Sequence, residues 1–211
     1  DWTVVSFTGL GAEMEATTKR STSFDFTGDG KADFLLRNVV NGQNAIWGAG
    51  DAGQGQNLTT IANLDYKIAG VADYDGDGKA DILWRNTVNG ENAIWKSGDS
   101  SQVQVVTTVM GTDFKIAGSG DFDGDGKADI LWRNATTGQN AIWKGGDSSQ
   151  PQGLSGLMGP DWKIASVADF TGDGKADLLL RNMVTGQNAI WGAGDSTQGQ
   201  TLTTVADMNY K

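Results

Sequence analysis

Several residue types with distinctive chemistry are missing from this sequence. The chain of 211 residues contains no cysteine and no histidine, and it has only two prolines. The first two absences exclude disulfide bonds, thiol nucleophiles, imidazole bases and zinc sites of the usual kind. Every hydrophobic run is too short to span a bilayer, and the sequence opens at Asp1 without a charged and hydrophobic leader. We therefore expect a mature, soluble protein without membrane insertion.

An acidic nonapeptide occurs four times at a constant spacing of 48 residues. The copies begin at Asp25, Asp73, Asp121 and Asp169, and the second reads Asp-Tyr-Asp-Gly-Asp-Gly-Lys-Ala-Asp. Four carboxylates within nine residues repel one another, and a shared divalent cation turns that repulsion into attraction. An Asp- and Gly-rich turn without metal is the simpler alternative. Four copies in register favour metal binding.

The order of residues within the loop indicates calcium. The carboxylates at positions one, three, five and nine would be ligands. Gly76 and Gly78 let the backbone turn tightly enough for the carbonyl of Lys79 to join them. Oxygen-only ligation suits calcium better than zinc or copper. Position twelve holds Trp84 instead of glutamate, so the loop is not an EF-hand, and the apolar run around it indicates that the loop joins two strands.

The acidity of the chain belongs mainly to these loops. The formal net charge is −10, and 14 of the 26 acidic residues lie in the four loops. Four calcium ions would add eight positive charges and leave a net charge of −2. An acidic chain of this kind disfavours nucleic acid and anionic lipid as partners.

Each repeat divides into four short strands. In the second repeat they are predicted at residues 67–72, 82–86, 92–95 and 103–109, with a hairpin turn at Asn89-Gly90. The 31 glycines and the many β-branched and aromatic residues agree with this reading. Four strands per unit without helical periodicity are typical of a blade, whereas the coils of a β-helix are shorter. We predict an all-β fold, a β-propeller of four-stranded blades.

The repeats divide the chain into a short N-terminal part and four blades. Residues 1–19 read as a strand followed by a connector from Gly9 to Lys19. The blades span about residues 20–66, 67–114, 115–162 and 163–211. The ring could close in three ways: within one chain with the help of the N-terminal strand, as a larger ring of two chains, or by strand exchange into a neighbour.

The repeats resemble the FG-GAP or VCBS-type repeats of integrin α-subunit propellers and of many secreted bacterial proteins. The resemblance covers residues 20–211 and rests on Asp-x-Asp-Gly-Asp-Gly-Lys-Ala-Asp, followed by Ile/Leu-Leu-x-Arg-Asn and Ala-Ile-Trp. It implies calcium held in the hairpin that links the first two strands of a blade. The implied ligands of the inner repeats are Asp73, Asp75, Asp77, Lys79 and Asp81, and Asp121, Asp123, Asp125, Lys127 and Asp129, with both lysines acting through their carbonyls.

The first and fourth copies of the loop depart from this pattern. Their third position is threonine, which supplies an oxygen but no charge. Their predicted ligands are Asp25, Thr27, Asp29, Lys31 and Asp33, and Asp169, Thr171, Asp173, Lys175 and Asp177. We therefore expect about one structural calcium ion per repeat, bound more weakly in these two outer repeats.

Tryptophan, arginine and asparagine also recur at fixed places. The sets are Trp47, Trp95, Trp143 and Trp191, joined by Trp84 and Trp132; Arg37, Arg85, Arg133 and Arg181; and Asn44, Asn92, Asn140 and Asn188. The tryptophans could stack on sugars, but identical placement in every repeat favours packing between sheets. The arginines could bind a carboxylate or sugar hydroxyls, but pairing with loop acids or capping of carbonyls is favoured. The asparagines are expected to bond backbone near the hairpin.

Binding is a better supported function than catalysis. Outside the loops no repeated pair of carboxylates stands apart, and the only glutamates are Glu13, Glu15 and Glu91. Extracellular calcium is high enough to fill even weak sites, so we expect secretion. The prediction is a non-enzymatic binding or adhesion module for glycans or a surface protein. The alternative is a structural protein that self-assembles through incomplete blade edges into oligomers or filaments.

Overall fold

The computed structural model describes residues 2–4, 24–111, 113–154 and 159–207. Within them, sixteen strands form four antiparallel sheets of four strands each, and consecutive strands are neighbours in every sheet. This confirms the predicted all-β fold of four-stranded blades. The predicted connector from Gly9 to Lys19 lies outside the described residues.

The four sheets share one plan. The first contains β1 (Trp2–Val4), β2 (Phe34–Asn38), β3 (Asn44–Trp47) and β4 (Gly55–Leu58), and the second β5 (Tyr66–Ala72), β6 (Asp81–Asn86), β7 (Asn92–Trp95) and β8 (Val103–Val106). The third contains β9 (Phe114–Gly120), β10 (Asp129–Asn134), β11 (Asn140–Trp143) and β12 (Pro151–Gly153), and the fourth β13 (Trp162–Ala168), β14 (Asp177–Asn182), β15 (Asn188–Trp191) and β16 (Gly199–Leu202).

Short 3₁₀ turns follow the third strand of each sheet. They lie at Gly48–Gly50, Lys96–Gly98, Lys144–Gly146 and Gly192–Gly194, and two more lie at Ala52–Gln54 and Ser196–Gln198. No helix in the described part of the chain has the length and hydropathy of a membrane span.

The chain divides into two compact units, Asp1–Met110 and Gly111–Lys211, and each unit holds two sheets. In both units, side chains from the two sheets form one apolar core. The cores contain Phe26, Leu35, Ile46, Ala80, Ile82, Trp84 and Trp95 in the first unit, and Phe122, Leu131, Ile142, Leu154, Ala176, Leu178, Leu180 and Trp191 in the second. Burial of these side chains is the main force that holds paired sheets together. The residues at which one blade passes into the next stay a prediction.

Four of the six recurring tryptophans are packed inside the protein instead of facing solvent. Trp84 and Trp132 are each 1% exposed, and Trp95 and Trp191 are also buried. The rings of Trp84 and Trp95 are in contact, with centroids 5.2 Å apart in a tilted arrangement. Packing is therefore confirmed as the role of these four residues.

The recurring arginines cap backbone carbonyls near the hairpins. Arg37 Nη1 donates to Asn44 Oδ1 at 2.9 Å, and its Nη2 donates to the carbonyls of Ile61 and Tyr66 at 3.2 and 3.1 Å. Because Tyr66 begins β5, this side chain ties the first sheet to the second. Asn44 Nδ2 in turn donates to the carbonyl of Gly42. The carbonyl-capping interpretation of the arginine and the backbone-bonding role of the asparagine are both confirmed here.

The fourth strand of the second sheet is shorter than predicted. Residues 103–109 were expected to be extended, but β8 ends at Val106. The reason lies in the hairpin between β6 and β7. Asn92 Nδ2 donates to the carbonyl of Thr107 at 2.8 Å, and the Val109 amide donates to the carbonyl of Gly90 at 3.0 Å. These bonds turn the chain back onto the hairpin before the strand can continue.

Candidate metal centre

Each acidic loop lies directly before the second strand of its sheet. In the second sheet, the loop leaves β5 after Ala72 and ends at Asp81, the first residue of β6. Because β6 is buried over its whole length, the side chain of Asp81 is carried inside and is 0% exposed. Asp129 and Asp177 begin β10 and β14 in the same way. The fold thus places the ninth residue of the loop in apolar surroundings.

The two inner loops, which begin at Asp73 and Asp121, gather carboxylates into groups. In the second sheet, oxygens of Asp73, Asp75 and Asp81 all lie within 4.8 Å of one another. The third sheet repeats this arrangement with Asp121, Asp123 and Asp129. Three carboxylates at such distances repel one another strongly unless positive charge lies among them.

The fifth loop position is placed differently from the other three. Asp77 is not a member of the carboxylate group, although the sequence predicts it as a ligand. Its Oδ1 accepts a hydrogen bond from the Lys79 amide at 2.8 Å, and its Oδ2 accepts one from the Ser97 hydroxyl at 3.3 Å. The predicted ligand roles of Asp77, of its counterpart Asp125 and of the lysine carbonyls stay predictions.

The outer loops, which begin at Asp25 and Asp169, keep the backbone of the inner ones. In their described residues, threonine replaces the third carboxylate, and no group of three forms. The Thr27 hydroxyl donates to Asp25 Oδ1 at 3.4 Å, so its oxygen lies beside the first carboxylate. Asp33 still accepts the Phe26 amide at 2.8 Å, as Asp81 accepts the Tyr74 amide. The outer loops therefore differ from the inner ones in charge and not in path.

The first carboxylate organises the backbone of the loop around itself. Asp73 Oδ1 accepts the amides of Gly76 and Asp77 at 2.7 and 3.1 Å, and its Oδ2 accepts the Gly78 amide at 2.8 Å. The same bonds from the fourth and sixth loop positions recur at Asp25, Asp121 and Asp169. An anionic acceptor strengthens such bonds. These hydrogen bonds lie within the loop itself and fix its curvature.

The ninth carboxylate is held by two amides and destabilised by burial. Asp81 Oδ2 accepts the Tyr74 amide at 2.8 Å, and its Oδ1 accepts the Ser97 amide at 2.7 Å. Burial raises the pKa of Asp81 to about 6, against the lowering effect of these two bonds, and the charges of Asp75 and Asp73 raise it further. Asp129 has its pKa raised to about 6 for the same reasons. The ionised loop is thus short of positive charge at neutral pH.

The 3₁₀ turn after the third strand closes over the loop, a feature that the sequence reading missed. Its second residue has a left-handed backbone and donates its amide to the ninth carboxylate in every sheet, at 2.7 to 2.8 Å. These residues are Ala49, Ser97, Gly145 and Ala193. The loop and the turn therefore form one structural unit, although they are 16 residues apart.

A lysine in the same turn reaches the third carboxylate of each inner loop. Lys96 Nζ lies 3.2 Å from Asp75 Oδ2, and Lys144 Nζ lies 3.1 Å from Asp123 Oδ2. Burial acts to raise the pKa of Asp123, but the hydrogen bond and charge of Lys144 hold it below its usual value. Sequence reading missed both lysines. The available signal was that lysine follows Asn-Ala-Ile-Trp only in the repeats with aspartate at the third loop position.

Neighbouring loops within a unit are hydrogen-bonded to each other. The Ala80 amide in the second loop donates to the carbonyl of Asp25 in the first at 2.8 Å. In the other unit, the Ala176 amide donates to the carbonyl of Asp121 at 2.7 Å. The first ligand position of one loop therefore has its backbone fixed by the eighth position of the next.

The donor set fits a calcium ion. The grouped side chains offer only carboxylate oxygens. Calcium prefers such oxygen ligands, whereas imidazole nitrogen and thiolate sulfur suit zinc and copper. A divalent cation offsets both the mutual repulsion of these carboxylates and the energetic cost of burying the ninth one. Asp73, Asp75 and Asp81 would hold the ion in the second sheet, and Asp121, Asp123 and Asp129 would hold it in the third.

Comparison with known proteins places the repeats in a family. A family model described as FG-GAP-like repeat matches residues 25–84, 73–132 and 121–180. Curated proteins give no significant match. Sixteen chains of solved structures match, among them one from the crystal structure of a nidogen/laminin complex, with a TM-score of 0.49 and 11% identity. That match covers 84% of this chain and 60% of the other, so this chain spans less than two thirds of that protein's length.

The family match agrees with the sheets and loops described above. Its three overlapping segments together cover residues 25–180, well over half of the chain. Each segment begins at the first aspartate of one loop, continues through the next loop and ends in the strand that follows that second loop. Each segment therefore contains two loops. The repeated unit is therefore the loop together with the sheet that it enters. The resemblance stated from the sequence is confirmed: the chain belongs to the family of FG-GAP-like repeat proteins with a β-propeller fold.

Proposed function

We propose that this chain is a secreted binding module stabilised by calcium, with one ion in each acidic loop. The observation that carries the calcium assignment is the pair of carboxylate groups, one in the second sheet and one in the third, whose oxygens lie within 4.8 Å of one another. Bound calcium supplies positive charge to carboxylates that are otherwise crowded and partly buried. The role of the ion is structural, because Asp81 joins the loop to the buried strand β6.

The ligand of the module is a protein surface. The FG-GAP-like repeats favour a protein-binding module. The hairpins between the second and third strands of three sheets expose apolar side chains that suit protein contacts. Val40, Val88 and Val184 occupy the same hairpin position in three sheets and are 67%, 71% and 67% exposed. Four of the six recurring tryptophans are buried, so sugars cannot stack on them. Protein recognition is therefore better supported than glycan recognition.

The same sites support the proposal of secretion. Loops with three or four carboxylates and a neutral or lysine-paired third position suit weak to moderate calcium affinity. Such sites are filled where calcium is at millimolar concentration, which is the condition outside the cell.

Calorimetric titration with calcium is expected to detect two tighter sites, in the inner loops, and two weaker ones, in the outer loops. The inner loops offer one more carboxylate as a ligand, so the ion makes one more charged contact there. Asp75→Ala combined with Asp123→Ala should remove the tighter pair. Asp65→Ala is the control, because Asp65 is exposed and lies outside the loops. Four equal sites would contradict the difference between inner and outer loops, and no binding at millimolar calcium would contradict the calcium proposal.

A glycan array probed in calcium is expected to give no carbohydrate hit. The physical reason is the burial of Trp84, Trp95, Trp132 and Trp191, which leaves Trp47 and Trp143 only partly accessible. The same protein treated with EDTA serves as the control for calcium-dependent binding. A reproducible hit that disappears in EDTA would replace the protein partner with a glycan.

Self-association is a second candidate function, and the edge strand β8 favours it. β8 is the last strand of the second sheet, with β7 as its neighbour. Its side chains Val103 and Val105 are 44% and 83% exposed. An apolar edge strand can pair with a strand of another molecule. Light scattering at micromolar concentration decides this point, since a monomeric mass would remove the candidate.

A further inference from the structure

The two lysines in the 3₁₀ turns stand at positions where they act on the calcium loops. Lys96 follows the last residue of β7, and its ammonium lies 3.2 Å from Asp75 Oδ2. Lys144 repeats this contact with Asp123 at 3.1 Å. Asp75 and Asp123 are members of the two carboxylate groups that would hold the ion. Each inner site thus contains a positive charge supplied by the protein itself.

The presence of this lysine follows the identity of the third loop residue in all four repeats. Where the loop has aspartate at this position, the residue after Asn-Ala-Ile-Trp is lysine; where it has threonine, that residue is glycine. The four pairs are Thr27 with Gly48, Asp75 with Lys96, Asp123 with Lys144, and Thr171 with Gly192. Since the two positions are 21 residues apart and meet in space, the pairing has a physical cause.

Charge balance supplies that cause. An inner loop has four carboxylates and its turn contributes one ammonium, so together they carry a net charge of −3. An outer loop has three carboxylates and a turn with glycine, which also gives −3. The lysine at the seventh loop position does not separate inner from outer loops: Lys79 lies beside Gly28 of an outer loop, and Lys175 lies beside Gly124 of an inner one. The extra aspartate of the inner loops is therefore offset within the protein.

Resting on the calcium proposal above, we propose that Lys96 and Lys144 are affinity-setting residues of the inner sites. Each acts as an internal counter-cation for the third carboxylate. Without calcium, the ammonium reduces the repulsion within the loop and helps to keep it folded. With calcium, the same ammonium repels the ion, so the inner sites bind more tightly than the outer ones by less than the extra carboxylate ligand alone would give.

The test measures calcium binding to the second loop after the other inner site has been removed. All variants carry Asp123→Ala, which removes the third-sheet site. Lys96→Met keeps the aliphatic stem and removes the charge, and at low ionic strength it should tighten calcium binding roughly tenfold, with a smaller gain at high salt. Lys67→Met is the matched control, since Lys67 is exposed near the start of β5, at the end of the strand away from the loop. It should leave the affinity unchanged.

A substitution cycle and a melting experiment complete the test. Asp75→Thr should weaken binding strongly when Lys96 is present, and adding Lys96→Gly should restore the affinity of an outer loop. In EDTA, Lys96→Met should melt at a lower temperature than its parent, whereas in calcium it should melt at the same or a higher temperature. If the parent binds calcium and Lys96→Met changes the affinity less than twofold, the lysine proposal is wrong and the calcium proposal stands. A parent that binds no calcium at millimolar concentration would overturn both.

Discussion

Removal of calcium is expected to lower the midpoint of thermal unfolding by about 10 °C or more at neutral pH. A ligand that binds only the folded state stabilises it by about 2.7 kcal/mol when its concentration is 100 times the dissociation constant. Two inner sites at that saturation contribute about 5 kcal/mol, and each kcal/mol shifts the midpoint of a chain of this size by roughly 2–4 °C. Differential scanning calorimetry with calcium and with EDTA measures the shift.

The size of this shift should depend on pH, because the ninth carboxylates of the inner loops are buried. Their folded pKa of about 6 lies above the ordinary value of 3.8. Well below pH 3.8 these groups are protonated in both the folded and the unfolded protein, and their burial carries no charge penalty. As the pH rises through 6 they ionise in the folded protein, and the metal-free form loses the stability that protonation provided. Calcium binds the ionised form, so its stabilising effect should grow between pH 4 and pH 7.

Two controls make this expectation specific. Magnesium at the same concentration reproduces the ionic strength but should stabilise less, because it requires near-ideal octahedral geometry and gives up its water reluctantly. Asp81→Asn combined with Asp129→Asn removes both buried charges and should flatten the pH dependence of the metal-free protein. An identical midpoint in calcium and in EDTA at pH 7 would refute the structural role of the ion.

The repeat made the strands and the loops predictable from the sequence. The 48-residue spacing aligned four copies, so that each weak strand pattern was seen four times, and the acidic nonapeptide marked the joint between first and second strands. Side-chain patterns along the chain are local information, and the loop with its flanking strands is a local structure. The carboxylate groups of the inner loops could therefore be proposed before any coordinates.

What the sequence did not predict are contacts between segments that are distant along the chain. The amide of Ser97 on Asp81 and the ammonium of Lys96 on Asp75 depend on where the 3₁₀ turn lies after β7 folds back along β6. The bond from the Ala80 amide to the carbonyl of Asp25 joins two repeats. The hydrophobic periodicity of the strands does not mark such contacts, and only the lysine left a signal, its occurrence together with aspartate in the inner repeats. The contacts themselves follow only from the register of the strands, which packing of the whole sheet determines.

Gly90→Ala is expected to destabilise the first unit by about 3 kcal/mol or more, in the range of core disruptions. The sequence predicted Asn89-Gly90 as a hairpin turn, and the structure gives Gly90 a second role. Its φ is +78°, and its carbonyl accepts the amide of Val109 from the segment after β8. A Cβ on Gly90 would lie 2.1 Å from the carbonyl oxygen of Val109. The methyl group must therefore push the returning chain away from the hairpin. Urea denaturation followed by tryptophan fluorescence measures the loss.

Two other glycines separate the causes of this loss. Gly111 has a φ of +88° and no atom within 4 Å of its ideal Cβ, so Gly111→Ala should show only the conformational cost, about 1 kcal/mol. Gly153 has neither a positive φ nor a close neighbour, so Gly153→Ala should be nearly neutral or slightly stabilising. The difference between Gly90→Ala and Gly111→Ala then measures the steric contact with Val109. If these two variants lose equal stability, the chain after β8 does not dock on the hairpin. The same conclusion would then apply to the close backbone approaches at Gly42 and Gly186.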